Sequence, residues 1–468
     1  MAPPRRKKYR PWNPAAYARQ AFTPAERLPE GDLVFFLLDL MPQLDLDPFY
    51  ASYEIETRGQ PPFDPALLVC LWLYAYAVGI YSSRKIAAAC ERNLAFLAIV
   101  GNDRPDFRTI SAFRKEHLER FADLFLQVLR LAHAAGLVQL GLWATDGSKV
   151  PGNASRHKAM SYGYMQKEEA RLKAEIADLL RQAQQRDEAE DAALGARRGD
   201  ELPEELCFRE QRLAKILQAK ARLEEQARQA AQAERQRRAE SQGRARRGER
   251  HAGGRPAQPV REAPDAKAQT SFTDPELKIM QQNNKGWDYG GNAQVVVDDA
   301  CQIIVACAVT AQSNDKQQAV PMAQQALANL EQAGIERPRD AAGQVQPIAA
   351  ALDSGYYSAE AVAGLEGLGL DPYVATERHK HHTPAEAVPA GATPVARMRA
   401  KLRTAAGRAV YALRKGVVEP VFGQMKGARG FRRFLLRGLA KVNGEWRLLC
   451  LTHNLLKIWR YRCAPAGI

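Results

Sequence analysis

The sequence lacks the features of a secreted, disulfide-linked or membrane-embedded protein. Its seven cysteines are scattered, odd in number and include no Cys-x-x-Cys pair, which argues against a disulfide framework or a zinc ribbon and favours a reducing compartment. No apolar segment follows the basic N-terminal stretch, so we expect no secretory signal. The most apolar run, Ala66 to Ile80, contains two tyrosines and is shorter than the ~20 residues of a membrane-spanning helix. It predicts a buried helix.

Acidic residues are the minority charge in this chain. Lys and Arg number 67 against 53 Asp and Glu, which gives a formal net charge of +14. The basic residues occur in clusters instead of being spread evenly. Such a charge favours a polyanionic partner, most simply nucleic acid. A basic but inert surface is the alternative that the composition leaves open.

The first part of the chain predicts helices. With 468 residues the chain is long enough for two or three domains. Residues 1–61 predict a basic arm followed by short helices, and residues 62–136 predict a compact helical domain. In the latter, Asp64 and Pro65 form a helix start, and Thr109 begins a later helix. Paired basic residues favour a DNA-binding domain. A helical domain that only packs against its neighbour is the alternative.

Two amphipathic segments follow in the middle of the chain. Apolar residues recur at helical spacing among charged residues on both sides of a break that contains Gly and Pro. This pattern predicts an inserted helical hairpin or coiled coil over residues 166–240. The Arg- and Gly-rich residues 241–268 cannot bury a core, so we expect a disordered linker there.

The remaining segments, 137–165 and 269–468, predict an α/β catalytic domain. Short apolar runs alternate with helical patterns, and residues 299–301 are a hairpin signal. The order matches a mixed sheet of ribonuclease H type if residues 147–291 are an insertion after the first strand. The predicted strands are 138–145, 292–298, 302–310, 348–352 and 372–375, and the predicted helices are 315–333 and 359–368.

Three acidic residues stand out by their contexts. Asp146 and Asp353 each follow a predicted strand, and Glu419 opens a stretch rich in Arg and Lys, with Pro420 predicted in the first turn of a helix. Carboxylates at neighbouring strand ends can share a hard cation such as Mg²⁺. The alternatives are two turn aspartates and an ordinary salt-bridged glutamate. Asp315, at the start of a predicted helix, is a further candidate neighbour of the site.

With these residues the chain resembles bacterial insertion-sequence transposases with a DDE catalytic domain. The most specific segment carries Tyr411, Arg414, Glu419 and Lys426, which are similar to the Tyr–Arg–Glu–Lys signature of that family. The Arg–Glu spacing is one residue longer than the usual pattern, so Lys415 is an alternative to Arg414. Similar segments cover most of the chain and include residues 105–114, 146–155, 292–294, 353–356 and 418–438.

The resemblance implies a role for each matching residue. Asp146, Asp353 and Glu419 would be the catalytic residues and would hold two Mg²⁺ ions, with Mn²⁺ as an alternative. The implied partners are double-stranded DNA, as element ends and as target, and a second copy of the chain. The implied location is the bacterial cytoplasm, at the nucleoid. The residues expected to bind DNA phosphates are Tyr411, Arg414, Lys426, Lys149 and Arg433.

Three functions remain open from the sequence. The first is a transposase that cuts DNA at the ends of its own element and joins them to a target. The second is a nuclease or an inactive derivative of the same fold, and the third is a non-enzymatic DNA-binding protein. The three acidic residues favour the first two over the third. A cluster of His379, His381 and His382 without a cysteine partner predicts a basic loop beside DNA, with a zinc site as the alternative.

Overall fold

The structure, a computed structural model, describes residues 23–54, 60–101, 103–194, 204–246, 259–282, 285–376 and 392–463. It divides into two compact units. The first comprises Met1–Gly152, Met280–Gly286 and Gly290–Ile468, and the second comprises Asn153–Ile279 and Trp287–Tyr289. The histidine cluster at 379–382 lies outside the described residues. None of the helices in the described ranges combines the length and the apolar character that a membrane span requires.

The N-terminal part of the first unit is helical, as predicted. Asp64 begins α3 by accepting a hydrogen bond from the amide of Ala66 at 2.8 Å, and every residue of that helix is buried. Thr109 does not begin a helix; Asp106 caps α6 instead. The helices are α1 (Leu33–Leu40), α2 (Asp47–Tyr50), α3 (Pro65–Ala77), α4 (Ser83–Arg92), α5 (Leu94–Val100), α6 (Phe107–His117) and α7 (Phe121–Ala134).

A mixed sheet follows, together with the helices of the rest of the chain. The strands are β1 (Leu142–Pro151), β2 (Ala159–Ser161), β3 (Gln269–Ser271), β4 (Lys278–Gln281), β5 (Trp287–Asp298), β6 (Ile303–Thr310), β7 (Ile348–Leu352) and β8 (Leu370–Val374). The helices are α8 (Tyr162–Leu194), α9 (Glu204–Arg246), α10 (Ala319–Gln332), α11 (Ala359–Gly367), α12 (Pro394–Arg403), α13 (Ala405–Gly423) and α14 (Leu439–Cys463).

The sheet has the order β4-β5-β1-β7-β8, with β6 also paired to β5. β5 runs antiparallel to β1 and to β6, and its pairing with β6 confirms the predicted hairpin. β7 lies between β1 and β8 and runs parallel to both. The interior faces of the central strands are lined with Val, Ile, Ala and Leu. The fold is therefore a mixed α/β arrangement with a mostly helical N-terminal region.

The first strand begins and ends later than predicted. Leu140 has a positive φ of 59°, and the carboxylate of Asp298 accepts hydrogen bonds from the amides of Gln139 and Leu140, so these residues do not join the ladder. Pairing with β5 instead continues through Pro151. Asp146 consequently lies within the strand, and the prediction that it follows the end of a strand is wrong.

Pro420 lies inside α13, not in a first turn as predicted. The helix begins at the cap residue Thr404, whose hydroxyl accepts the amide of Gly407 at 2.9 Å. A proline inside a helix leaves the carbonyl four residues earlier without its usual donor. Here the side-chain amide of Gln302 donates to the carbonyl of Gly416 at 2.9 Å. This substitute bond explains how the helix continues through the proline.

The last helix, α14, is largely buried in the core of the first unit. It packs against α3, α7 and β6, and most of its central residues are buried. Two asparagines of this helix hydrogen-bond with the backbone of β6. Asn454 bonds to the amide and carbonyl of Ile304, and Asn443 does the same with Val309. These side chains protect an otherwise open strand edge.

The second unit contains the two longest helices, α8 and α9. Ion pairs of Glu168 with Arg212 and of Glu175 with Arg209 show that the helices run antiparallel. The predicted helices over 166–240 are thus present. Residues 241–246 continue α9, so the linker prediction is wrong there, and residues 247–258 lie outside the described ranges. A small apolar core between the helices consists of Met165, Leu172, Ile216, Ala219 and Leu223.

Candidate active site

Two of the predicted acidic residues lie beside each other, Asp146 within β1 and Asp353 directly after the neighbouring strand β7. In the parallel ladder of β1 and β7, Thr145 is paired with Leu352. Asp146 directly follows Thr145, and Asp353 directly follows Leu352. The two aspartates therefore lie at the same level of adjacent backbones. The negative charge of Asp353 also raises the pKa of Asp146. The apolar run of β7 ends at Leu352, as the sequence predicts.

Asp146 lies in an environment that disfavours its charged form. The pKa of this carboxyl is raised to about 6, mainly by burial and in smaller part by the charges of Asp353 and Asp315, against the lowering effects of the Gly147 amide and the Arg414 guanidinium. Arg414, on α13, lies 3.3 Å from Asp146 Oδ2. Arg414 therefore balances only part of the negative charge that these carboxylates place around Asp146.

Each aspartate also makes a local turn contact. Asp146 Oδ1 accepts the amide of Gly147 at 2.8 Å, and Asp353 Oδ1 accepts the amide of Gly355 at 2.5 Å. The latter bond caps the short 3-10 turn Ser354–Tyr356. The turn interpretation is thus correct for Asp353, whereas Asp146 lies within β1 and begins no loop. It does not account for the proximity of two carboxylates from segments far apart in the sequence.

A polar network beside the aspartates is built around Asp315. Its Oδ1 accepts hydrogen bonds from the amides of Asn292 at 2.6 Å and Gln294 at 2.7 Å, and its Oδ2 lies 3.4 Å from Lys149 Nζ. The hydroxyl of buried Tyr356, in the turn after Asp353, donates to the Gln294 side chain. The network therefore connects β1, β5 and the Asp353 turn.

Gly147 allows this network to approach the strand. A Cβ on Gly147 would lie 2.1 Å from Gln294 Nε2 and 2.9 Å from Asn292 Oδ1, closer than side-chain atoms approach. Asn292 is fully buried, and its Oδ1 has no hydrogen-bond partner among the described residues. A buried acceptor without a donor is costly and is common at functional sites. The sequence signalled these amides only as part of the family-like segment 292–294.

The third predicted acid, Glu419, lies on α13 with its side chain exposed. It follows Arg414 by five residues, so the two side chains project about 140° apart around the helix axis. Among the described residues, no group of three or more His, Cys, Asp and Glu side chains is arranged to hold a metal ion. The shared site of Asp146, Asp353 and Glu419 stays a prediction.

The predicted phosphate-binding residues occupy different surroundings. Arg414 is buried against Asp146, and Tyr411 lies one turn earlier on α13 with its ring 5.9 Å from that guanidinium. Lys426 donates to the Ser148 hydroxyl and, at 3.2 Å, to the carbonyl of Lys149. Burial lowers the pKa of Lys426 to about 8. Arg433 is exposed. Four of the five predicted residues thus lie along β1 or beside Asp146.

The residues present suit a hard divalent cation. Asp146 and Asp353 supply carboxylate oxygens, which are the donors that Mg²⁺ prefers. Burial, together with the neighbouring carboxylates, raises the pKa of Asp146 to about 6, so the charged form of this residue is incompletely stabilised. Metal ions stabilise such groups of carboxylates in their ionised form. The donor set therefore fits Mg²⁺ or Mn²⁺, and it lacks the thiolates and imidazoles typical of zinc sites.

Two segments of the chain match models of known protein families. Residues 22–116 match the model described as Transposase domain (DUF772), and residues 376–459 match the model described as Transposase DDE domain. The first match covers the N-terminal helices through most of α6. The second includes Glu419 and α13 but neither aspartate. Neither a curated protein nor a solved structure matches the chain. Both family matches are to transposase domains, which confirms the predicted resemblance.

Proposed function

We propose, on the premise that this chain resembles insertion-sequence transposases with a DDE domain, that it cuts DNA at the ends of its own element and joins these ends to target DNA. The observation that carries this proposal is the placement of Asp146 and Asp353 beside each other, where the adjacent strands β1 and β7 pair, with Arg414 of α13 against Asp146. Carboxylates in this arrangement serve phosphodiester chemistry, and the net charge of +14 suits a DNA partner.

The strand order supports a ribonuclease H-like fold for the catalytic domain. β1, β5 and β6 form an antiparallel meander, and β7 and β8 then extend the sheet in parallel with β1. A helix precedes each of these last two strands. The segment between β1 and β5 is the insertion that this assignment requires. We also propose a helical domain at residues 62–136 and a catalytic domain made of residues 137–165 and 269–468.

Asp146, Asp353 and Glu419 would hold two Mg²⁺ ions, with Mn²⁺ as a substitute. When bound, such ions lower the pKa of an attacking water or 3′-hydroxyl and stabilise the leaving oxygen. The chain's own residues contribute the surroundings of these carboxylates. Arg414 neutralises part of the charge on Asp146, and the amides of Gly147 and Gly355 orient one oxygen of each aspartate. The second oxygen of Asp353 would then be available as a ligand, whereas Oδ2 of Asp146 accepts from Arg414 and would have to be shared between the guanidinium and the metal.

The experiment that tests the function is a joining assay. Purified protein is incubated with Mg²⁺, labelled DNA from both sides of its gene, and a target plasmid. A transposase yields labelled DNA joined to plasmid. A nuclease or inactive derivative of the fold yields cut DNA or no product, with binding retained. A non-enzymatic DNA-binding protein yields binding alone with every divalent metal. Short inverted repeats in the flanking DNA would define the ends.

DNA contact near the site has its own expected outcome. Lys426→Ala and Arg433→Ala should each weaken binding about equally across DNA sequences, because phosphate contacts carry no base information. Each should also reduce the slope of log Kd against log salt concentration by about 0.9. The titrations are run at pH 7, below the Lys426 pKa of about 8, so that this lysine is charged.

Arg339→Ala provides the matched control for these titrations. Arg339 is exposed on the loop before β7, and β7 ends at the aspartates, so the control removes one charge at the other end of the strand. Its slope should equal that of the parent protein. If both test variants also keep the parental slope, Lys426 and Arg433 do not face the DNA.

We also propose that the helical pair α8–α9 braces a second copy of the chain on DNA. Cutting two element ends needs two active sites held together, so a dimer on DNA follows from the proposed function. The outer faces of the helices are charged, and several apolar side chains on them are exposed, including Leu180, Phe208 and Leu217. The alternative is a hairpin that closes only on itself.

A further inference from the structure

Asp315 lies in the loop between β6 and α10, and donors from the chain occupy both of its carboxylate oxygens. Oδ1 accepts the side-chain amides of Asn292 and Gln294, and Oδ2 lies 3.4 Å from Lys149 Nζ. Because both oxygens already have partners, we do not expect this carboxylate to be a metal ligand itself. The function of Asp315 therefore depends on what its partners do.

The carboxylate of Asp315 determines which way the two amides point. An ionised carboxylate only accepts hydrogen bonds, so Asn292 and Gln294 both turn their NH2 groups toward it. Such charge-assisted bonds are stronger than bonds between neutral groups. The carbonyl oxygen of Gln294 consequently faces away from Asp315, and it accepts a hydrogen bond from the hydroxyl of Tyr356.

Tyr356 connects this arrangement to the turn that follows Asp353. It is the last residue of the 3-10 turn Ser354–Tyr356, and its backbone amide donates to the carbonyl of Asp353 at 3.2 Å. The residue is buried. Burial, together with the nearby carboxylates, raises the pKa of its hydroxyl well above the usual value, so the hydroxyl stays protonated and can donate. The turn is thus linked to Asp315 through Gln294.

Asp315 also lies directly against this turn. A Cβ on Gly355 would lie 3.6 Å from Asp315 Oδ2 and 2.9 Å from Asp353 Oδ1. The second distance is shorter than side-chain atoms approach, so a side chain at this position would force the Asp353 carboxylate to move. Both carboxylates therefore lie on the side of the turn that the missing side chain of Gly355 leaves open.

We propose that Asp315 is a positioning residue of the candidate site, and that it holds Asp353 in place for metal binding through Gln294 and Tyr356. The inference rests on the proposed function, since it assumes that Asp353 holds a divalent cation. Asp315 does not touch that cation. Loss of a residue that orients metal ligands typically costs about 10- to 100-fold in metal affinity.

The first test is Mn²⁺ binding by the full chain without DNA, measured for Asp315→Asn from the electron paramagnetic resonance signal of free Mn²⁺. The variant keeps the size of the side chain, but an NH2 group replaces one acceptor oxygen, so either the amides or Lys149 lose their partner. We expect the Kd for Mn²⁺ to rise about 10- to 100-fold. In the joining assay the half-saturating Mn²⁺ concentration should rise likewise, while the rate at saturating Mn²⁺ stays within about threefold of the parent.

A neutral variant separates positioning from loss of charge. Asp315→Asn removes a negative charge near the metal, which by itself weakens cation binding. Tyr356→Phe removes only the hydroxyl that donates to Gln294 and leaves every charge in place. It should raise the Kd for Mn²⁺ by about threefold or more. In the Asp315→Asn background the same change should have less than about a twofold effect, because the connection is already interrupted.

Asp298→Asn is the matched control for a merely structural role. Asp298 is a fully buried carboxylate at the end of β5, and it accepts the backbone amides of Gln139 and Leu140. The substitution should lower thermal stability and leave the Kd for Mn²⁺ unchanged. A loss of stability reduces the fraction of folded protein but does not change the metal affinity of the folded remainder.

The possible results have different meanings. A parental Kd for Mn²⁺ in folded Asp315→Asn overturns the inference. A weakened Asp315→Asn beside a parental Tyr356→Phe also overturns it, because charge alone would then explain the effect. If Asp315→Asn does not fold, Tyr356→Phe decides by itself, and its unchanged Kd has the same meaning. Absence of both Mn²⁺ binding and joining in the parent protein would instead contradict the proposed function.

Discussion

Asp353→Asn should abolish Mg²⁺-dependent cutting and joining while DNA binding stays within about twofold of the parent. The amide keeps the size of the side chain and can still accept the amide of Gly355, which Asp353 accepts at 2.5 Å. It removes the negative charge that would hold a divalent cation beside Asp146. Binding rests on Lys and Arg contacts to phosphates, which the substitution does not touch. Asp146→Asn and Glu419→Gln should behave in the same way.

Asp340→Asn is the matched control for this experiment. Asp340 is an exposed turn aspartate whose Oδ1 accepts the amides of Ala342 at 2.9 Å and Gln344 at 2.8 Å. If Asp353 were only a turn residue, Asp353→Asn would resemble this control and keep its activity. Parental joining by the Asp353 variant, with binding intact, would end the assignment of that residue to catalysis.

Removal of α8 and α9 should abolish complexes that contain two DNA ends but leave binding of single ends intact. The structure shows where the chain can be rejoined, because the amide of Gly163 donates to the carbonyl of Ala266 at 3.0 Å. Deletion of residues 166–265 with a short Gly/Ser bridge therefore joins neighbouring points. The other unit keeps its own core, since the apolar cluster between α8 and α9 is separate from the main one.

The deletion is compared with a variant in which only residues 247–258 are replaced by a Gly/Ser sequence of equal length. That variant retains both helices and should form paired-end complexes at the parental level. Native gels with DNA ends of two lengths separate single-end from paired-end complexes. Paired-end complexes in the deletion variant would show that the helical pair is not needed to hold two DNA ends together.

Local sequence signals predicted several elements correctly because their causes are local. The apolar run before Asp353 ends where β7 ends, and the turn residues 299–301 connect β5 and β6. Asp64 caps α3 as its position before a proline predicts. The two long amphipathic segments form α8 and α9. In each case the deciding interactions lie within a few residues of one another.

Two of the wrong predictions have non-local causes. β1 begins late because Asp298, distant in sequence, binds the amides of Gln139 and Leu140. Pro420 is tolerated inside α13 because Gln302 supplies the missing donor. Neither hydrophobic periodicity nor turn rules can predict contacts between residues so far apart in the sequence. The sheet itself was predictable as an alternation of strands and helices.

The candidate site was predictable in part for the same reason. The sequence predicts both aspartates at the ends of strands of one sheet, and the structure places them next to the paired residues Thr145 and Leu352 of the adjacent strands β1 and β7. Asp315 accepts hydrogen bonds from the side-chain amides of Asn292 and Gln294. These bonds depend on the register of β1 with β5, which the sequence does not specify. The exposed position of Glu419 on α13 likewise depends on how that helix packs.

The most direct test of the account is the position of bound metal in a crystal of the protein with Mn²⁺ and an element-end DNA duplex. Anomalous scattering locates the ions without reference to the protein atoms. The account predicts ions about 4 Å apart, contacted by carboxylate oxygens of Asp146, Asp353 and Glu419, with α13 shifted to bring Glu419 into place. Ions bound elsewhere, or a Glu419 side chain remote from both aspartates in that complex, would contradict the assignment of the three carboxylates to one site.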